Sequence, residues 1–194
     1  MGKISQQTAG KDGQSSSRSN KDASECSGDG PLKVSASVDY ALRAMVELAA
    51  APPGEPVKAD DIAARQAIPS RFLAQLLAEL RRADLVSSGR GYSGGYWLAV
   101  APETVTVADV VRIIDGPLAD VHGMSPEVFG PPGVAAPTKE LWIAVRAALR
   151  SVMERVTIAD LAAGRLPDEV AALLEDPDAW TRRPDRMDRA SDAT

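Results

Sequence analysis

The sequence is poor in several residue types that carry chemistry. Its 194 residues include one cysteine and one histidine, and aromatic residues make up only 4%. A lone Cys26 excludes an intrachain disulfide, and a lone His122 leaves no second imidazole for a metal site. There is also no paired carboxylate–histidine set, nucleophile signature or phosphate-binding loop. We therefore expect that the protein is not an enzyme and holds no metal.

Long apolar runs are absent as well. No run reaches the ~18 residues that a membrane span needs, and no signal peptide opens the chain, so we expect a cytoplasmic protein with no membrane partner. The remaining composition, 44% hydrophobic and 25% charged residues, is ordinary for a soluble globular protein. A chain of this length can bury a proper core.

The distribution of charge matters more than its sum. A formal net charge of −5 argues mildly against a nucleic-acid partner. Between residues 57 and 98, however, six basic residues stand against four acidic ones, which leaves +2 in this stretch. Because phosphate contact needs only a local basic face, the global sign does not exclude DNA.

The stretch 68–99 has the layout of a winged helix-turn-helix. Pro69 suits the first turn of a helix. Apolar residues then recur on one helix face: Phe72, Leu73, Leu76, Leu77 and Leu80. Val86 and the run 96–98 are typical of strands, and the glycines between them supply a turn. Such a helix can enter a major groove, and a hairpin with Arg90 near its tip can lie along the backbone or minor groove.

Further helices are predicted on both sides of this stretch. We expect them at 35–50, 57–66, 106–115 and 138–156, with a short one from Thr157 that could extend through 166–174. Ser35 or Ser37 can cap the first, and Thr106 the helix after the hairpin. The helix at 57–66 and the helix that follows Pro69 have the spacing of a helix-turn-helix.

The long helix at 138–156 suggests a second copy of the chain. At 1.5 Å per residue it would be about 28 Å long, and little of so small a chain is left to cover its apolar stripe. Packing on its own domain is the alternative. The stripe supplies the candidate dimer contacts: Leu141, Trp142, Val145, Leu149, Val152 and Met153.

We therefore predict a mainly α-helical fold with a small β-wing, in which a winged helix-turn-helix domain is followed by a long dimerisation helix. Residues 1–33 are expected to form a disordered N-terminal tail and 34–100 the DNA-binding domain. Residues 101–163 would hold an effector loop and the dimerisation helix, and 164–194 a largely mobile C-terminal extension.

These motifs, in this order, resemble the IscR/NsrR type of bacterial winged-helix regulators, the Rrf2 family. The resemblance covers residues 34–161. It rests on 38–44, on Ile68-Pro69 and Phe72-Leu73, on Leu85-Val86, and on 90–96, 106–111 and 157–161. It implies a homodimeric transcription factor that binds operator DNA, commonly as a repressor.

The resemblance also implies which residues contact DNA. The exposed face near the start of the third helix would enter the major groove, where arginine suits guanine and glutamine suits adenine. Arg90 would reach a narrow minor groove. The candidate contacts are Ser70, Arg71, Gln75, Arg90, Gly91 and Tyr92.

The chain departs from the family in one loop. Many members hold an iron–sulfur cluster through three cysteines before the dimer helix, but residues 116–137 contain none. Gly123 and Ala136 stand near where the first and last ligands would fall. Because thiolates are the main cluster ligands, we expect no cofactor. His122 and Glu127 remain as possible ligands, although a single loop histidine is more often exposed or hydrogen-bonded.

A rival hypothesis keeps the fold and changes the function. The chain could be a protein-interaction adaptor whose winged helix has lost specific DNA binding. The acidic balance favours this hypothesis, and so does Ala74, which stands where several family members have Glu or Gln. Within the regulator hypothesis, the loop 116–137 and the Trp142 end of the dimer helix could bind a small-molecule or protein effector.

Overall fold

The structure is a computed structural model that describes residues 34–52, 54–91 and 94–181. The predicted N-terminal tail 1–33, Tyr92 of the wing and the end of the C-terminal extension, 182–194, lie outside the described residues. No helix in the described part of the chain is both long and apolar enough to cross a membrane.

The first helix, α1 (Ala36–Ala50), forms the centre of the core. The Ser35 side chain caps it by accepting a hydrogen bond from Val38 N over 3.1 Å, as one of the two predicted caps. Its buried face consists of residues at helical spacing: Val38, Ala41, Ala44, Met45 and Leu48. Helices from three later parts of the chain pack against α1.

The helix-turn-helix consists of α2 (Ala59–Gln66) and α3 (Ser70–Arg82). The chain turns between them at Ala67, which adopts a left-handed conformation with φ 52°. The predicted start of α2 at residue 57 is wrong. Val57 is extended and exchanges two backbone hydrogen bonds of 2.8 Å with Tyr96 of the hairpin. An extended residue paired in this way cannot also begin a helix.

The wing is a two-stranded antiparallel hairpin, β1 (Val86–Gly89) and β2 (Gly95–Leu98), as predicted. Its register pairs Val86 with Leu98 and Gly89 with Gly95. The helix before it, α3, buries four leucines in the same core: Leu73, Leu76, Leu77 and Leu80. Half-buried Phe72 packs edge-on against Tyr40 of α1 at 5.7 Å between ring centroids.

The remaining helices are α4 (Val107–Ile114), α5 (Pro137–Met153), α6 (Ile158–Ala162) and α7 (Asp168–Ala171). Both α4 and α6 begin with a complete capping box, Thr106 with Asp109 and Thr157 with Asp160. Thr106 and Thr157 are also bridge partners. The residues that begin α4 and α6 therefore lie side by side, and α6 packs against α1.

Two predicted helix ends differ from the structure. The helix α5 stops at Met153, because Val156 turns into the core and its carbonyl accepts a hydrogen bond from Val107 N at 2.9 Å. Its 17 residues span about 26 Å. The proposed extension of the last helix through 166–174 is wrong, because Gly164, with φ 68°, separates α6 from α7. A 3-10 turn, Pro177–Trp180, follows within the C-terminal extension.

Candidate nucleic-acid interface

The first two turns of α3 present a continuous solvent-exposed face, polar except at Ala74. Ser70, Arg71, Ala74 and Gln75 are all exposed, whereas the leucines opposite them are buried. At 100° per residue these four positions fall within an arc of about 140°. The structure therefore places three predicted contacts, Ser70, Arg71 and Gln75, side by side on one solvent-facing surface. A surface of this width is what an α-helix offers to the floor of a major groove.

The arginines divide sharply into paired and unpaired sets. Of the eleven that the structure describes, eight lie within 4.0 Å of a carboxylate: Arg43, Arg65, Arg82, Arg112, Arg146, Arg150, Arg155 and Arg165. Within the described ranges, Arg71, Arg81 and Arg90 have no such partner. All three belong to α3 or the wing. Cationic groups without a carboxylate partner remain available for phosphates or base edges.

Close backbone packing fixes the wing to the helix-turn-helix. A Cβ atom at Gly95 would lie 2.7 Å from the Val57 carbonyl oxygen, so only glycine allows the bridge between Val57 and Tyr96. Arg81 Nη1 donates a hydrogen bond to Ser88 Oγ over 3.2 Å and links the end of α3 to β1. This hydrogen bond gives Arg81 a structural contact within the domain.

The tip of the wing presents the predicted contacts that follow β1. Arg90 is exposed, and Gly91 next to it has φ 98°, a conformation that favours glycine. Tyr92, the remaining predicted contact, lies outside the described residues. Arg90 thus extends from a turn anchored on one side by β1 and on the other by β2.

The candidate dimer face lies on α5. No residue of α5 is buried within the single chain. Leu141 has 54% of its surface exposed, and the other five predicted contacts are half-buried: Trp142, Val145, Leu149, Val152 and Met153. The six positions fall within an arc of about 120°. This arrangement leaves an apolar stripe that a second surface could cover.

Sequence reasoning missed an ion pair between the loop and α5. Arg146 Nη1 donates to Glu127 Oε2 over 2.8 Å, and Nη2 donates to the other carboxylate oxygen. The Arg146 side chain is only 11% exposed, although it lies beside Trp142 and Met153 at the edge of the apolar stripe. That position was a usable signal, because a charge on an apolar helix face needs a partner. The sequence did not indicate that the partner is Glu127, which lies 19 residues earlier in the chain.

The donor atoms of the loop 116–137 do not fit an iron–sulfur cluster. The loop has no thiol, and its Glu127 carboxylate already binds Arg146 and Ser125. His122 is exposed, and its ring lies 6.3 Å from that of Phe129. In the described part of the chain, no three His, Cys, Asp or Glu residues are grouped to hold a metal ion. Clusters need several thiolates at one point, and this loop offers none.

Comparison with known proteins identifies the family. The sequence model of Rrf2, described as an iron-dependent transcriptional regulator, matches residues 34–164. The chain belongs to the Rrf2 family. It is 46% identical over 145 residues to an HTH-type transcriptional regulator of Mycobacterium tuberculosis H37Rv, covering 75% of this chain and 90% of that protein. It is 36% identical over 132 residues to CymR of Bacillus subtilis, covering 68% of this chain and 90% of CymR.

Solved structures agree with this assignment. The structure of CymR, the global cysteine regulator of B. subtilis, matches with a TM-score of 0.59 and covers 69% of this chain and 98% of that chain. IscR of T. potens matches with a TM-score of 0.54 at 31% identity, and the match covers 79% of this chain and 94% of that chain. The winged-helix fold and the family predicted from sequence are confirmed. This Rrf2-family chain is thus a DNA-binding transcriptional regulator from a family of regulators rather than enzymes.

Proposed function

We propose that this protein is a homodimeric repressor that binds a specific operator in the cytoplasm and works without an iron–sulfur cluster. The observation that carries the proposal is the position of the unpaired arginines. Among the described arginines, those without a carboxylate partner, Arg71, Arg81 and Arg90, all lie on α3 and the wing. The family resemblance implies that DNA binds this same surface.

The proposed contacts divide into those that read bases and those that position the protein. Arg71 and Gln75, one helical turn apart on α3, would hydrogen-bond base edges in the major groove. Ser70 at the helix start would bind a phosphate, since helix N-termini attract anions. Arg90, with Gly91 and Tyr92, would follow the minor groove, where narrow A·T-rich segments attract arginine.

Dimerisation supplies the second half of the interface. The stripe on α5 is exposed or half-buried along its whole length, and a two-fold partner would cover it with the same stripe. Two winged helices would then meet two half-sites of a palindromic operator about one turn of DNA apart. A dimer bound in this way over a promoter would exclude polymerase and repress transcription.

The cluster-free part of the proposal rests on donor chemistry. The loop before α5 has no thiolate, and its Glu127 carboxylate is bound by Arg146. The signal to this regulator would therefore be a small-molecule or protein effector rather than the state of a cluster.

The first experiment selects a duplex from a random-sequence library with purified protein and measures its binding by fluorescence anisotropy. A scrambled duplex is compared at two salt concentrations. We expect the selected duplex to bind at least 100-fold more tightly than the scrambled one. Equal, weak binding to both that disappears at higher salt would instead support a protein-interaction adaptor.

A matched pair of variants tests the arginine assignment. Arg90→Ala should weaken binding about tenfold and lower the slope of log affinity against log salt by about one. Arg155→Ala removes the same charge from an arginine paired with Glu169 and should leave both quantities unchanged. Equal effects of the two substitutions would contradict the assignment.

A further inference from the structure

The loop that precedes α5 has a defined internal structure in spite of its glycines and prolines. Val121 and Met124 exchange two backbone hydrogen bonds of 2.9 and 3.0 Å, and the Ser125 carbonyl accepts bonds from the two residues at 128 and 129. Leu118 and Pro126 are buried. The segment 118–129 is therefore a folded unit, which we call the clamp loop.

One ion pair connects the clamp loop to the middle of α5. The Arg146 guanidinium binds both oxygens of Glu127 and also lies 3.4 Å from Ser125 Oγ. Ser125 in turn donates its hydroxyl hydrogen to Glu127. Arg146 is 11% exposed and Glu127 55%, so the loop carboxylate covers an otherwise enclosed cation. Loss of either partner would leave the other without its charge-assisted hydrogen bonds.

A second set of contacts holds the far end of α5 to α4, which itself packs against α1 and α3. Arg112 of α4 pairs with Glu154, the C-cap residue that follows α5. Two residues further on, Val156 accepts a backbone hydrogen bond from Val107 at the start of α4. Arg146 precedes Glu154 by eight residues, which is about 12 Å along the helix. The clamp loop begins four residues after α4 ends, so both contacts join α5 to α4 and the segment that follows it. Two separated contacts fix the direction of a helix, whereas a single contact lets it pivot.

We propose that Glu127 and Arg146 are positioning residues that set the direction of α5 relative to the winged helix, and thereby the spacing of the two α3 helices in the dimer. The inference deepens the proposed function and rests on it for the dimer. The ion pair between Glu127 and Arg146 holds the loop without any bound group, so operator affinity does not respond to iron and sulfide. Neither residue touches DNA.

The test uses the whole chain and four variants, one of which is a control. Glu127→Gln and Arg146→Met each remove one partner, and the double variant Glu127→Arg/Arg146→Glu reverses the pair. Glu140→Gln, which removes an exposed carboxylate from α5 itself, is the charge-matched control. Hydrogen exchange of the clamp loop is measured without DNA. Affinity is measured on duplexes whose half-sites are moved apart or together by one or two base pairs.

We expect both single variants to exchange clamp-loop amides at least tenfold faster than the wild type. Their affinity for the best duplex should fall about tenfold, and their preference for one half-site spacing should broaden. The reversed pair should recover most of both losses, and the control should match the wild type. Anaerobic addition of ferrous iron and sulfide to the wild type should change its affinity less than twofold.

Three results would overturn the proposal: unchanged loop exchange in the single variants, an unchanged spacing preference despite faster exchange, or an affinity that rises with iron and sulfide. If the wild type binds no duplex specifically, the proposed function fails instead. The exchange measurement needs no DNA, so it still reports whether the ion pair holds the loop.

Discussion

Gly95 lies where β2 crosses Val57, and we predict that Gly95→Ala loosens the wing. A Cβ atom there would lie 2.7 Å from the Val57 carbonyl oxygen, 2.9 Å from its carbon and 3.0 Å from Pro56 Cβ. Two of these contacts are with backbone, which cannot rotate away as a flexible side chain would. The substitution must therefore push the Val57 segment away from β2.

The expected loss follows from the contacts that this movement breaks. Val57 and Tyr96 exchange two hydrogen bonds of 2.8 Å, and each is worth about 0.5–1.5 kcal/mol net. Gly95→Ala should therefore lower the free energy of unfolding by about 1–3 kcal/mol. Urea denaturation at one fixed protein concentration measures it, since dimer stability depends on concentration. Operator affinity should fall as well, because Arg90 extends from the displaced hairpin.

Gly130→Ala is the matched control for this prediction. The nearest atom to a Cβ at Gly130 is 3.9 Å away, and its backbone does not require glycine. Its free energy of unfolding should stay within about 0.5 kcal/mol of the wild type. A Gly95→Ala protein as stable as Gly130→Ala would refute the claim that close backbone approach fixes the wing.

Three further substitutions test other parts of the fold. Ala67→Gly should raise the free energy of unfolding by about 1 kcal/mol in urea denaturation, because Ala67 has φ 52° in the turn between α2 and α3. Thr157→Ala removes the N-cap of α6 and should lower the free energy of unfolding by about 1 kcal/mol at pH 7. Hydrogen bonds from the Thr157 hydroxyl and backbone N–H lower the pKa of the Asp160 carboxyl in the folded protein. The stabilisation that this carboxylate provides is therefore present above the ordinary pKa of an aspartate and is lost as the pH falls through the lowered pKa. The difference between Thr157→Ala and wild type should therefore shrink in acid, and a constant difference from pH 7 to pH 3 would count against the capping box. Leu149→Glu should convert the dimer to monomer in analytical ultracentrifugation, and an unchanged dimer would move the interface off α5.

The helices and the wing were predictable because their signals are local. The leucine spacing of α3 and the Thr-x-x-Asp boxes of α4 and α6 each lie within one or two turns of chain. The end of α5 was missed because Val156 belongs to the helical stripe by spacing, yet its backbone pairs with Val107 far earlier. The start of α2 was missed for the same reason, since Val57 pairs across to Tyr96.

In the candidate site, too, local features were predictable and contacts between distant residues were not. The polar face of α3 could be predicted because it is the complement of a buried stripe, and the structure brings Ser70, Arg71 and Gln75 together on it. The unpaired state of Arg71, Arg81 and Arg90 could be predicted only in part. Some of the other arginines pair with a carboxylate three or four residues away, which sequence spacing indicates, whereas others pair across the tertiary fold. Arg65, for example, is neutralised by Glu47 of another helix at 3.1 Å. The Glu127–Arg146 pair is hidden from local patterns in the same way.

The most direct test of the central claim is a specificity profile of Arg71→Ala. Affinities are measured for every single-base variant of the selected operator, with wild type, Arg71→Ala and Arg155→Ala in parallel. If α3 reads base edges, Arg71→Ala should lose about 1–3 kcal/mol of discrimination at one symmetry-related pair of positions and keep it elsewhere. Arg155→Ala should reproduce the wild-type profile. An Arg71→Ala profile identical in shape to the wild type would contradict the claim that this face of α3 reads the operator.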